Sequence, residues 1–203
     1  PGDPLANPKS TFQTLAAIRK QFPELQLCIA TNGLVLLDYI AEILAINIGF
    51  ITITINAVLP HIAAELYTWI RYQGIIFRGL EAGKILINNQ QKAISVLAQN
   101  GRVVKINCVM VPGVNDFHIP QIARVVSNLG ANLFNIIPLI PVAGTGFENN
   151  TPPGKGAMRE TQEQSAKYIK VIKHCRQCRA DAIGYLDDDR STSFYGGHQE
   201  DIS

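Results

Sequence analysis

The segment ITITIN, residues 51–56, alternates apolar and polar side chains without a break. A repeat of two residues is typical of a β-strand that has one buried face and one polar face. One face of this strand carries isoleucines, and the other carries the polar side chains Thr52, Thr54 and Asn56. In an open doubly wound sheet, helices cover both faces and the strands read as continuous apolar runs. The alternation therefore favours a full or partial (β/α) barrel with helices outside and a polar interior, and leaves the open sheet as the alternative.

Similar strands recur between helical patterns along the chain. Strands are predicted at 25–30, 50–55, 103–111 and 132–138. Helices are predicted at 10–21, 34–46, 59–72, 80–99, 119–129 and 161–174. Strands that alternate with helices form right-handed crossovers around a parallel sheet. The sequence therefore predicts one α/β core over residues 1–187, followed by a polar tail over residues 188–203.

The composition limits the classes of function. At 203 residues and 47% hydrophobic, the chain is long enough for one sizeable core. A net charge of +2 is too small for a nucleic-acid footprint, and no apolar run reaches the ~18 residues of a membrane span. There is no secretory signal, and two of the four cysteines form a CxxC pair, so a reduced, cytoplasmic protein is expected. The loop-like start without a methionine indicates a chain that begins inside a longer protein.

Strand phase separates the two cysteines that lie in predicted strands. Cys28 shares the polar, inward face of its strand, near the carboxyl end, where α/β folds bind ligands. Cys108 lies on the apolar, helix-facing side of the third strand, opposite Lys105 and Asn107, and is predicted to be a small core residue. Cys28 is therefore a candidate ligand residue, with a buried thiol that binds nothing as the alternative.

The pair Cys175 and Cys178 closes the last predicted helix as CxxC. A zinc site needs two further ligands, which no second CxxC supplies, and a thioredoxin-like motif opens a helix near the start of the fold. Arg176 and Arg179 beside the thiols would offset the negative charge of thiolates bound to iron. At the other end of the chain, the turn Gly2–Pro4 offers a carboxylate and free carbonyls suited to an ammonium group, although an ordinary turn has the same composition.

Five segments together resemble one protein family. They are PGDPLANP at 1–8, LCIATNG at 27–33, ITITINAV at 51–58, VMVPGVND at 109–116 and HCRQCRADAIGYL at 174–186. They occur in the order found in the NifB family, radical S-adenosylmethionine (SAM) enzymes that build the iron–sulfur core of the nitrogenase iron–molybdenum cofactor. The resemblance implies a partial (β/α)₆ barrel of the radical SAM type, lacking N-terminal strand or strands here. It also implies a reaction that fuses two [4Fe–4S] clusters and inserts a SAM-derived carbide to give an eight-iron precursor.

The resemblance also implies roles for particular residues. Gly2 and Asp3 would meet the SAM amino group, and the backbone at Val109 and Met110 would lie close to adenine. The candidates for the SAM carboxylate and ribose are Asn32, Thr54 and Asn56. The candidate ligands of the substrate clusters are Cys175 and Cys178 for one cluster and Cys28 for the other.

One motif of the family does not occur in these residues. The CxxxCxxC that binds the SAM-cleaving cluster has no match, so it is expected upstream of Pro1, and the chain alone is expected to be inactive. Two alternatives remain, an iron–sulfur carrier and a radical SAM maturase that forms no carbide. The partners implied are iron–sulfur cluster donors and the carrier or scaffold proteins of nitrogenase assembly, with no nucleic acid and no membrane.

Overall fold

The computed structural model describes residues 2–172 and residues 184, 185, 188 and 189. The chain divides into two compact units, Pro1–Val171 and Ile172–Ser203. In the second unit the described residues form two short strands, Gly184–Tyr185 and Asp188–Asp189, which pair antiparallel. The predicted start of a polar tail at residue 188 falls within this unit.

The first unit is built on a five-stranded parallel sheet in the order β1-β2-β5-β6-β7. Its strands are β1 (Cys28–Thr31), β2 (Phe50–Thr54), β5 (Val103–Met110), β6 (Leu133–Pro138) and β7 (Lys170–Val171). A separate hairpin consists of β3 (Ile70–Tyr72) and β4 (Ile75–Phe77). The α-helices are α1 (Pro8–Gln21), α2 (Ile40–Ala45), α3 (Pro60–Leu66), α4 (Gly79–Gln99), α5 (Ile119–Asn128) and α6 (Lys155–Ser165). Three 3₁₀ helices occur at Pro4–Ala6, Leu36–Tyr39 and Asp116–His118.

The main core lies on one face of this sheet. Ile51 and Ile53 of β2 are fully buried and pack in one cluster with side chains of the helices, among them Ile43, Ile94 and Ile122. The neighbouring strands are in register, so that Ile53 lies beside Ile106, and Thr54 lies beside Asn107 on the opposite face. The five parallel strands lie side by side in the order in which they occur in the chain, and the helices pack on one side of them. This arrangement is part of a (β/α) barrel. The predicted α/β fold with a partial barrel is confirmed, and the second, polar side of the sheet is called the concave face below.

Strand β1 begins three residues later than predicted. The carbonyl oxygens of Pro23 and Leu25 accept hydrogen bonds from the Arg19 guanidinium at 2.7 and 2.9 Å. These groups are thereby held in the turn after α1, and pairing with β2 starts at Cys28. Cys28 is consequently the first residue of its strand, at the amino end of the sheet, and the prediction that it lies near the carboxyl end was wrong.

Two helices end earlier than predicted. Helix α3 stops at Leu66, and the aromatic and β-branched residues that follow form the β3–β4 hairpin, because Gln73 and Gly74 adopt positive φ of 51° and 81°. Two adjacent positive φ values are typical of a type I′ hairpin turn. Helix α6 runs from 155 to 165 instead of 161 to 174, and Lys170 and Val171 instead form a fifth parallel strand beside β6. None of the helices described is long and apolar enough to cross a membrane.

Candidate functional site

The carboxylate of Asp3 joins the first loop of the chain to the turn after β1. It accepts hydrogen bonds from the Thr31 hydroxyl at 2.8 and 2.9 Å and from the Asn32 amide at 2.6 Å. It also accepts from the Leu5 amide at 2.9 Å, which starts the 3₁₀ helix. Asp3, predicted to face an ammonium group, therefore bonds to groups of its own chain, whereas the neighbouring Gly2 is exposed and has open space around it.

The turn after β1 is also held from the side of helix α4. The Gln90 side-chain amide donates to the carbonyls of Asn32 at 2.7 Å and Thr54 at 3.1 Å, so one buried side chain joins the ends of β1 and β2. Beside it, the Asn89 amide donates to the Leu34 carbonyl at 2.8 Å. Asn32 accepts from the Leu34 amide through its own side-chain oxygen at 2.8 Å and remains exposed to solvent. Sequence reasoning missed Gln90; the signal was a run of polar residues, 88–91, inside an otherwise amphipathic helix.

Two asparagines join β2 to β5 at the carboxyl ends of the strands. The Asn56 oxygen accepts from the Val109 amide at 2.8 Å, and its NH₂ group donates to the Tyr67 hydroxyl at 3.0 Å. Asn115 donates to the carbonyls of Asn56 and Val109, both at 2.9 Å, and accepts from the Val111 amide at 2.8 Å. Burial raises the pKa of Tyr67 to about 12, so its hydroxyl stays neutral. The backbone groups of Val109 are thus satisfied within the protein.

The other two predicted contacts with SAM differ in their surroundings. Met110 directs its side chain into the core, where it is 3% exposed, and its carbonyl accepts from the Leu139 amide at 3.2 Å. Thr54 is half-buried on the concave face, and its hydroxyl makes no hydrogen bond with the rest of residues 2–172. Near the strand ends, Asn32 is therefore exposed and Thr54 is half-buried with a hydroxyl unpartnered in residues 2–172, whereas Asn56 and Met110 lie within the protein's own packing.

A neutral histidine, His118, binds the loop after β2 at the carboxyl end of the sheet. The ring of His118 is buried, and its Nε2 accepts a hydrogen bond from the Val58 amide at 3.1 Å. The Nδ1 lies 3.1 Å from the side-chain oxygen of Gln121, which assigns the ring proton to Nδ1. Burial lowers the pKa of His118, which keeps the ring neutral and able to accept from Val58. His118 thus holds the loop that follows β2.

The described cysteines occupy opposite faces of the sheet. Cys28 is exposed and lines an open depression of about 440 Å³, together with Pro4 and residues of α1 and β1. Cys108 is fully buried, and burial raises the pKa of its thiol, so the prediction of a core residue is confirmed. Cys175 and Cys178 lie outside the described residues. Within the described part of the chain, no group of three or more histidine, cysteine or acidic side chains could hold a metal ion.

Comparison with known proteins identifies relatives of this chain. No family model matches it. It is 42% identical, over 188 residues, to the FeMo cofactor biosynthesis protein NifB of Chlorobaculum tepidum and 43% identical, over 198 residues, to that of Bradyrhizobium diazoefficiens. This chain is a NifB homologue. The alignments cover 93% and 96% of the chain but only 44% and 40% of those two proteins, so the chain spans less than half of their length.

The fold is found again in a solved structure. A domain of pyruvate-formate lyase-activating enzyme from Bacteroides vulgatus superimposes on this NifB homologue with a TM-score of 0.60. The match covers 85% of this chain and 94% of that domain at 15% sequence identity. At that identity the likeness establishes the fold, which is of the radical SAM type, and nothing about activity.

Proposed function

We propose that the protein carrying this chain acts in FeMo cofactor biosynthesis as a SAM-dependent enzyme that fuses two [4Fe–4S] clusters. In that reaction a carbon from SAM becomes the carbide of an eight-iron precursor. The observation that supports this proposal is the identity of 42–43% with NifB proteins along nearly the whole chain. We further propose that it works in the cytoplasm with iron–sulfur cluster donors and with carrier or scaffold proteins.

The described residues fit SAM at the carboxyl edge of the sheet. The half-buried hydroxyl of Thr54 and the exposed amide of Asn32 are polar groups suited to a carboxylate or to ribose hydroxyls. When bound, SAM supplies radical chemistry and a carbon atom. The chain's own contribution is positioning, because Asp3 and Gln90 hold the turn that carries Asn32 from two sides. In this assignment Asp3 and Asn56 are positioning residues, and Gly2 offers its backbone carbonyl to the amino group.

The cysteines are assigned as ligands of the substrate clusters. Cys28 is exposed on the concave face and is assigned to one cluster, whereas Cys175 and Cys178 are assigned to the other on the basis of the HCRQCRADA motif. Since Cys108 is buried in the core and its thiol stays protonated, it offers a matched control for any cysteine substitution.

The test is anaerobic reconstitution of the polypeptide that carries this chain with iron and sulfide. We expect Cys28→Ala and the double variant Cys175→Ala/Cys178→Ala each to bind less iron than the wild type, and Cys108→Ala to keep the wild-type content. Release of 5′-deoxyadenosine from SAM by the wild type tests the enzyme assignment separately. Equal iron contents in Cys28→Ala and Cys108→Ala would rule out Cys28 as a ligand, and a wild type that leaves SAM intact would rule out the radical SAM activity.

A further inference from the structure

The concave face carries a lysine, Lys105, whose ammonium group has no counterion among the described residues. Lys105 lies in the middle of this face, between Thr52 of β2 and Leu133 of β6. The residue is only 8% exposed, yet its side chain makes no hydrogen bond or ion pair with another described residue. Most of the residue is covered by protein, but the Nζ atom itself is not fully buried, so it can reach a ligand on this face. A ligand that brings negative charge would supply a counterion for this group.

The neighbours of Lys105 add further hydrogen-bond donors. The Thr52 hydroxyl, on a residue 3% exposed, has no partner elsewhere in residues 2–172. The Asn107 oxygen accepts from the Asn135 amide at 3.2 Å, which leaves the NH₂ group of Asn107 without an acceptor among the described residues. One cationic and two neutral donor groups therefore face the same space, and such a set favours an anion.

The charges of this face have one sign. Its side chains in the four strands β1, β2, β5 and β6 include no carboxylate, and the ionisable ones are Cys28 and Lys105. The register places Ala30, Thr52 and Lys105 in one row across the sheet, and Cys28 lies one row closer to the amino end. Rows on one face are about 7 Å apart, whereas Met110, at the carboxyl end of β5, lies five residues or about 17 Å beyond Lys105. Lys105 thus lies one row from Cys28, and Thr54, which is proposed to face SAM, lies one row away on the other side.

We propose that Lys105 binds an anion, namely the thiolate-ligated iron–sulfur cluster that Cys28 holds, with Thr52 and Asn107 as hydrogen-bond donors. This inference rests on the proposed function, since that function brings the cluster to Cys28. Thiolate ligation gives such clusters negative charge, which the lysine offsets, so the lysine stabilises both the bound cluster and its reduced form. The carboxylate of SAM is the second source of the same chemistry, and the experiment distinguishes the two.

The first arm measures how firmly the reconstituted polypeptide holds iron. Lys105→Met keeps the length of the side chain and removes its charge, Lys105→Arg keeps the charge, and Lys92→Met removes an exposed charge from α4. We expect an iron chelator to strip half of the iron from Lys105→Met at a concentration about tenfold lower than from the wild type. The reduction potential of its cluster should also fall. Lys105→Arg and Lys92→Met should remain within about twofold of the wild type, and circular dichroism checks that each variant is folded.

The second arm measures binding of S-adenosylhomocysteine, which has the SAM carboxylate and needs no iron chemistry. A loss of affinity of about tenfold in Lys105→Met in this arm alone supports the anion site and makes the carboxylate its ligand. Unchanged behaviour of Lys105→Met in both arms overturns the proposal. If the iron content of the protein does not depend on Cys28, the proposed ligation fails, and the second arm still decides whether Lys105 binds an anion.

Discussion

Gly33 closes the turn after β1 in a space that admits no side chain. Its φ is +81°, and a Cβ atom added there would lie 2.8 Å from Cγ2 of Ile53 and 3.0 Å from Cγ of Gln90. Gly74, in the hairpin turn, has the same φ of +81° and nothing within 4 Å of an added Cβ. The two glycines therefore share a backbone conformation and differ in crowding.

This pair separates the cost of backbone strain from the cost of overpacking. Alanine in the left-handed region costs about 1–2 kcal/mol at either position. At Gly33, the clash with Ile53 and Gln90 adds about 1–3 kcal/mol, because a packed core accommodates an extra methyl group poorly. We expect Gly33→Ala to lower the free energy of unfolding by about 2–5 kcal/mol and Gly74→Ala by about 1–2 kcal/mol.

Equilibrium urea unfolding, followed by far-ultraviolet circular dichroism, measures both values. The denaturant slope m should stay constant, since the substitutions change stability and not the surface exposed on unfolding. Because Gln90 bonds the carbonyls of Asn32 and Thr54, Gly33→Ala should also weaken binding of S-adenosylhomocysteine, and Gly74→Ala should not. Equal losses of stability in the two variants would refute the argument from crowding.

Two further predictions concern side chains that hold the loops. Asp3→Asn should lower the free energy of unfolding by about 2 kcal/mol, because its NH₂ group faces donors where the carboxylate accepted three hydrogen bonds. The control Asp116→Asn alters a single hydrogen bond, from the Gly113 amide at 3.1 Å, and should lower the free energy of unfolding by less than about 1 kcal/mol in the same urea titration. A larger loss of stability in Asp116→Asn than in Asp3→Asn would contradict this role of Asp3. His118 is held neutral by burial, so the unfolded chain takes up its proton first as the pH falls. The stability it contributes should decrease as the pH falls below about 6.5, and His118→Gln should flatten this dependence between pH 7.5 and 5.5. His61→Gln should flatten it much less, because repulsion from His61 contributes less than burial to the lowered pKa of His118.

The order of strands and helices and the two faces of the sheet were predictable because they follow from local patterns. A side-chain period of two places Ile53 and Thr54 on opposite faces wherever the strand lies in the fold, and the same period placed Cys108 in the core. The hairpin was missed because an aromatic and aliphatic run after α3 also fits a helix. Its signal was Gln73–Gly74 between two runs rich in β-branched and aromatic residues.

Tertiary structure alone decided which polar side chains of the predicted site are available to a ligand. Asp3 and Asn56 have the residue types of ligand contacts, yet they bond to partners 28 and 53 residues away in the chain. Arg19 similarly delays β1, so that Cys28 lies at the amino end of the sheet, one row from Lys105. A local pattern shows which face a side chain occupies. The hydrogen bonds it makes depend on groups that only folding brings within 3 Å, because a donor and an acceptor bond through space and not along the chain.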